Sequence, residues 1–239
     1  MANLPVLMYH NVNPTLSAGL TISCDKLDEQ LACLCKKKYT FYFASELVEK
    51  TDFANKSIVI TFDDVTQNQL LYALPILKKY NVKATFFIPF GYIGKTDLWN
   101  QKNDASQEKI MTVEQLKSID SGLIEFGHHS FNHNRYSQLS KEEILNDFEN
   151  SYEAIKQSQL KVFPILAYPY GDFPKKGIKK EYFFDLLEKN GIKAAFRIGN
   201  RVNKLPIKSK HEIQRIDIKG EDSLLAFKLK IRFGKLRLF

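Results

Sequence analysis

"SIVITFDDVTQNQLLYALPILKK", residues 57–79, decides the fold. Its first six residues are rich in β-branched and aromatic types and read as a strand. A polar break follows, and from residue 67 the apolar positions recur at helical spacing. The unit is a strand followed by a helix, with an aspartate pair at the strand's end. Outward from it the same alternation recurs. Strands are expected at 5–10, 39–43, 83–90, 123–127, 162–168, 193–199 and 212–218, and helical periodicity at 25–37, 113–119, 141–157, 178–189 and 222–231. Parallel strands joined by crossover helices produce this pattern. No composition break, internal repeat or low-complexity tract interrupts it, so one domain over 1–239 is expected, with a basic tail at 227–239. The longest uncommitted segment, 91–111, is polar and holds the single tryptophan, Trp99, as a wall of a binding groove or a surface excursion.

The composition, 44% hydrophobic, 13% aromatic and 26% charged, is that of a folded globular chain. A formal charge of +8 favours anionic neighbours, but the body of the chain carries no nucleic-acid-binding motif, and no nucleic-acid partner is expected. Cys24, Cys33 and Cys35 fall in one helical stretch without a disulfide or zinc-ribbon spacing, and read as plain thiols. Residues 1–14 lack the pattern of a secretion signal, and no later run is long enough to span a membrane. The expected location is cytoplasmic, at most peripheral to the inner membrane face.

In parallel α/β folds chemistry gathers at the C-terminal ends of the strands. Asp63 and Asp64 follow 57–62, "HHSFNH" (128–133) follows 123–127, "PYGD" (169–172) follows 162–168, and His10 ends 5–10. His129 and His133 are four apart, so a helix beginning there would present both rings on one face to a divalent ion. A carboxylate from a neighbouring strand end would be the third ligand, and adjacent aspartates point in different directions, so one can bind metal while the other moves protons. Each motif alone has a plainer reading, a polar turn for 128–133 and a helix cap for the aspartates; together they point to a metal site.

"TFDD" (61–64), "HSFNH" (129–133) and "YPYG" (168–171) resemble, in order and approximate separation, the first three motifs of the polysaccharide deacetylases of carbohydrate esterase family 4, the NodB-homology fold. The resemblance implies a single-domain α/β fold, a distorted (β/α) barrel of about seven strands, and metal-dependent hydrolysis of N-acetyl groups on the N-acetylhexosamine units of a glycan or its precursor. It also implies Asp64, His129 and His133 as ligands of one divalent ion, zinc first and cobalt, nickel or iron by the same donors. Asp63 becomes the base, and Tyr170, with Pro169 and Gly171, lines the groove and its oxyanion site; His128 stands behind the ligands or lines the groove.

Three departures accompany the resemblance. Val65 replaces the glycine that commonly follows the aspartate pair. Ala167 replaces the arginine that orients the base. The late histidine motif of the acid is absent, since the last strand reads "EIQRIDI" (212–218) and His211 comes too early. "PVLMYHNV" (5–12) and "AYPYGDF" (167–173) are similar to the branch that deacetylates poly-N-acetylglucosamine, where a histidine ending the first strand is the acid, and this assigns His10 that role. Asp172 reads as a cap.

From Phe227 the chain alternates apolar and basic residues, including Lys228, Lys230, Arg232, Lys235 and Arg237. This is either a final element packed on the barrel or a peripheral membrane contact, in which case the substrate is a lipid-linked sugar. The remaining alternative is a catalytically weak or inactive carbohydrate-binding protein of the same fold.

Overall fold

The computed structural model describes residues 3–99, 107–119 and 121–234. All seven residues of Ser57–Asp63 are buried, on both faces of the strand. A strand covered on both sides belongs inside a parallel sheet, and here the sheet is closed. The ring consists of β1 (Val6–Tyr9), β2 (Ser57–Asp63), β3 (Ala84–Ile88), β4 (Ile124–His128), β5 (Val162–Ala167), β6 (Ala194–Ile198) and β7 (Ile213–Asp217). Each strand pairs in parallel with the next, and β7 returns to β1, which pairs with β2. The expected strand at 39–43 forms as Thr40–Tyr42, pairs with the first residues of β2 and stays outside the ring.

Helices α1 (Cys24–Lys36), α2 (Leu74–Lys79), α3 (Val113–Lys117), α4 (Lys141–Ser158), α5 (Gly177–Lys189) and α6 (Leu224–Phe233) follow the expected periodicities. The three cysteines are free, half-buried thiols. Among the described residues no helix is long and apolar enough to cross a membrane.

Side chains alternate along each strand, and this alternation positions the site. Val6, Val59, Phe87, Ile165, Phe196 and Ile213 form the core inside the barrel. Ile58, Ile60 and Phe62 face outward to pack with Leu27, Leu31 and Leu34 of α1. By the same parity His10, Asp63, Arg215 and Asp217 point inward, toward the C-terminal mouth.

Candidate active site

Beyond Asp63 the chain turns sharply. Asp64 (φ 76°) and Val65 (φ 46°) both adopt the left-handed conformation, which a β-branched residue occupies only under strain of about 1–3 kcal/mol. Neighbouring backbone holds them there: Asp64 N–H donates to Phe87 O (3.1 Å), and Met111 N–H donates to Val65 O (2.9 Å). The turn leaves the Asp63 carboxylate inside the barrel and places Asp64 over the mouth.

His129 and His133 meet without a helix. The expected helical presentation is not what the structure uses: Ser130 (φ 64°) and His133 (φ 54°) are left-handed, and regular structure resumes only with a 3₁₀ turn at Tyr136–Gln138. The loop is braced by Asp147 of α4, whose Oδ1 accepts from Phe131 N (2.9 Å) and Asn132 N (3.3 Å) and whose Oδ2 accepts from Tyr136 OH (2.8 Å). His129 Nδ1–H donates to Ala167 O (2.7 Å), which leaves the Nε2 lone pair free to bind a cation. The His133 ring stacks on Trp99 (4.0 Å between centroids, 18°) and meets the Tyr170 ring edge-on at 4.8 Å.

The donor set fits a divalent metal. One ligand atom from each of Asp64, His129 and His133 lies within 4.8 Å of the others, and all three residues are buried. Asp64 Oδ1 is 3.5 Å from His129 Nε2 and 3.4 Å from His133 Nε2, and has no hydrogen-bond partner. Burial, then the charges of Asp63 and Asp97, raises the Asp64 pKa well above the usual carboxylate range against the opposing pull of Arg215, so a cation at the site would stabilise its anion. Burial brings His129 down to about 4 and His133 well below its ordinary value, so both rings are neutral, the state that ligates metal.

Asp63 has the opposite environment. Burial works against its anion, but Arg215 grips it with Nη1 to Oδ1 at 2.5 Å and Nη2 to Oδ2 at 2.8 Å. That guanidinium, with His129 and His10, holds the carboxyl far below its usual range. Arg215 is fully buried inside the barrel, over the Phe87 ring. His10 Nε2 is 3.8 Å from Asp63 Oδ2, and burial lowers its pKa against the opposing pull of Asp63 and Asp217. Gln69, in a π-helical turn (Gln69–Ala73), ties the two strands together: its Nε2 donates to Asp63 O (2.6 Å) and His10 O (2.9 Å).

These groups open into a cleft of about 320 Å³ lined also by Asn11, Leu20, Trp99, Arg135, Tyr170, Asp217 and Lys219. Trp99 therefore makes the 91–111 segment a wall of the groove; residues 100–106 of that segment lie outside the described residues. Tyr170 (φ 58°) is half-exposed under the Arg135 guanidinium. Pro169 and Gly171, expected in the groove, are buried and shape the turn instead: a Cβ on Gly171 would come within 2.7 Å of Ile198 N. His128 is also corrected. It neither contacts the ligands nor lines the cleft, but packs outside the barrel against Phe90 and Tyr152, because adjacent strand residues face opposite ways. His211 is remote, its Nε2 3.2 Å from Ile192 O, and Asp172 accepts from Ser137 N (3.0 Å) as a cap.

The sequence profile of polysaccharide deacetylases matches residues 50–181, more than half of the chain. The chain belongs to the polysaccharide deacetylase family. Curated relatives include the poly-β-1,6-N-acetyl-D-glucosamine N-deacetylase of Staphylococcus epidermidis, 29% identical over 63% of this chain and 50% of that one. The Staphylococcus aureus protein of the same name is 25% identical over 74% of this chain and 61% of that one. The chain thus spans about half to three fifths of these relatives. The same fold occurs in the deacetylase PplD of Streptococcus pyogenes (TM-score 0.76, 22% identity, 96% of this chain and 98% of that one). It recurs in IcaB of Ammonifex degensii (TM-score 0.75, 24% identity, 97% and 98%).

In this member of the polysaccharide deacetylase family the matched segment holds Asp63, Asp64, His129, His133 and Tyr170, but neither His10 nor Arg215. Ala167 stands where the resemblance leads one to expect an arginine, and the guanidinium that grips Asp63 is that of Arg215, on a different strand of the ring. Alternation with Ile213 and Asp217 in "EIQRIDI" was the available signal, since it aims Arg215 into the barrel.

Proposed function

We propose that this protein is a metal-dependent deacetylase that hydrolyses N-acetyl groups on N-acetylglucosamine units of a glycan. The observation that supports it most is the juxtaposition at one mouth of a three-donor cation site and an ionised aspartate gripped by arginine, with a histidine at 3.8 Å. The names of the staphylococcal relatives support poly-β-1,6-N-acetylglucosamine as the substrate class. Asp64, His129 and His133 would hold a divalent cation, which would supply Lewis acidity at the mouth. The native ion is taken to be zinc, with cobalt, nickel or iron admitted by the same donors.

The chain's own residues do the rest. Arg215 fixes both Asp63 oxygens, and the lone pair left on Oδ2 faces the mouth, where it accepts the proton of the attacking water. The proton taken by Asp63 passes to His10, whose Nε2 lies 3.8 Å from Oδ2, and the imidazolium so formed protonates the amine nitrogen as the C–N bond breaks, releasing acetate and a free amino sugar. The Tyr170 main-chain amide stabilises the oxyanion, and its ring, with Trp99, walls the sugar.

The test is release of acetate and free amine from β-1,6-linked N-acetylglucosamine oligomers by metal-stripped protein given back zinc, cobalt or nickel. Asp63→Asn is expected to lower kcat by about 10²–10⁴, and His10→Gln to do the same without changing metal affinity. One metal bound through His129 and His133 with no amine released would refute the substrate. Failure to bind metal would refute the site.

A further inference from the structure

We propose that the outer face of α6 and the cleft beside it dock this protein on an anionic lipid bilayer. This goes beyond the proposed function and does not rest on it. Phe227 and Ile231 anchor α6 to the barrel, while Leu225 (68% exposed), Leu229 (36%) and Phe233 (54%) recur every four residues as one outward stripe. Lys228 and Arg232 flank that stripe and, with Lys37 and Lys56, line a cleft of about 180 Å³.

No acidic residue lines this cleft, and none of its four cations makes an ion pair among the described residues. Lys230 of the same helix is the contrast: it turns inward and pairs with Asp222 at 2.5 Å. Four like charges around one concavity concentrate anions there. Hydrocarbon beside cations on one helix face is the pattern of an interfacial helix, which buries the apolar stripe below the headgroups and sets its cations among them.

A free anion would use the cleft and leave Leu225 and Phe233 idle. An apolar protein groove would leave the four cations idle. An anionic bilayer engages both, the stripe with its acyl chains and the four cations with its headgroups.

The orientation follows from the topology. Asn3, Pro5, Asn55 and Lys56, which bound the cleft, precede β1 and β2, so the cleft lies at the N-terminal end of the parallel barrel. The candidate active site is at the other end. Docking there leaves the catalytic mouth open to glycan in solution, which argues against a substrate whose lipid anchor shares the same bilayer.

The test is flotation of the full chain with vesicles of phosphatidylcholine alone or with about one third phosphatidylglycerol. Binding is expected to the anionic vesicles only, and to vanish at high salt. Lys228→Gln with Arg232→Gln is expected to weaken it about 30-fold, about fivefold for each cation. Leu225→Ser with Phe233→Ser is expected to weaken it as well, with thermal unfolding and zinc affinity unchanged. Equal binding to both vesicle types, binding to neither, or anionic binding that survives both pairs of substitutions would overturn the proposal. So would complete displacement by millimolar inorganic phosphate, which would assign the cleft to a small anion.

Discussion

Asp64, His129 and His133 come from the loops after β2 and β4, within the segment that carries the family's motifs. His10, Arg215 and Asp217 come from β1 and β7, outside that segment, and meet Asp63 only because the barrel closes. The first wall is local: two turns with left-handed residues aim three donors at one point. The second wall depends on long-range pairing and strand parity. The first holds neutral histidines and a carboxylate with one oxygen lacking a hydrogen-bond partner; the second holds a carboxylate gripped on both oxygens by a buried guanidinium.

Their stabilities should therefore respond differently to substitution. Arg215→Met leaves Asp63 buried and unpaired, and is expected to lower unfolding stability in urea by about 3–5 kcal/mol. His133→Ala should forfeit metal binding with a smaller loss of apo-protein stability. If Arg215→Met proves no less stable than His133→Ala, the distinction between the walls is wrong. Adding Asp63→Asn to Arg215→Met should restore part of the loss, since no charge is then stranded.

Gln69 belongs to the closing wall, although it is remote from β1 and β7 in sequence. Gln69→Leu strips one donor from two buried carbonyls, those of His10 and Asp63, and is expected to lower stability by about 2–3 kcal/mol. It should reduce kcat about tenfold with metal affinity unchanged, as isothermal titration with zinc would show. A loss of zinc binding instead would place Gln69 with the local wall.

The smallest effect sharpens the comparison at one strand end. His128 is a neighbour of a ligand but no part of the site, and burial lowers its pKa to about 4, against about 6.5 unfolded. The folded state requires the neutral ring, so this stability is full above about pH 6.5 and is lost as pH falls toward 4. His128→Phe should reduce the drop in stability between pH 7 and pH 5 by about 2 kcal/mol, read from urea midpoints of the metal-free protein, without altering zinc affinity. An unchanged pH slope would mean that His128 is hydrated rather than buried.

Legibility in the sequence divided along the same line. Strand and helix order is legible from periodicity, and the histidine and aspartate clusters from short motifs, because both are local; the closed ring and the choice of Asp64 over Asp63 as a metal donor come only from the family resemblance. The His129–His133 pairing was read for the wrong reason, a helix, because nothing in the letters announces left-handed Ser130 and His133. Arg215 is not legible as the partner of Asp63, because the family pattern places its arginine at position 167. A guanidinium in a barrel can arrive from any inward-facing position at the right height, and only strand register shows which one. His128 was misplaced by proximity in sequence, which in a strand means opposite faces.

The grip of Arg215 on Asp63 spans 152 residues of chain. At a ribosomal pace of about 5–20 residues per second, the arginine is made roughly 8–30 s after the aspartate. His129 and His133 are made before the midpoint of that interval, and for the rest of it Asp63 has no guanidinium beside it and β2 has no β7-to-β1 closure. Under the proposed function, the three cation donors are thus all synthesised before the arginine that grips the base. The pairing that gives Asp63 its charge is among the last that synthesis makes possible.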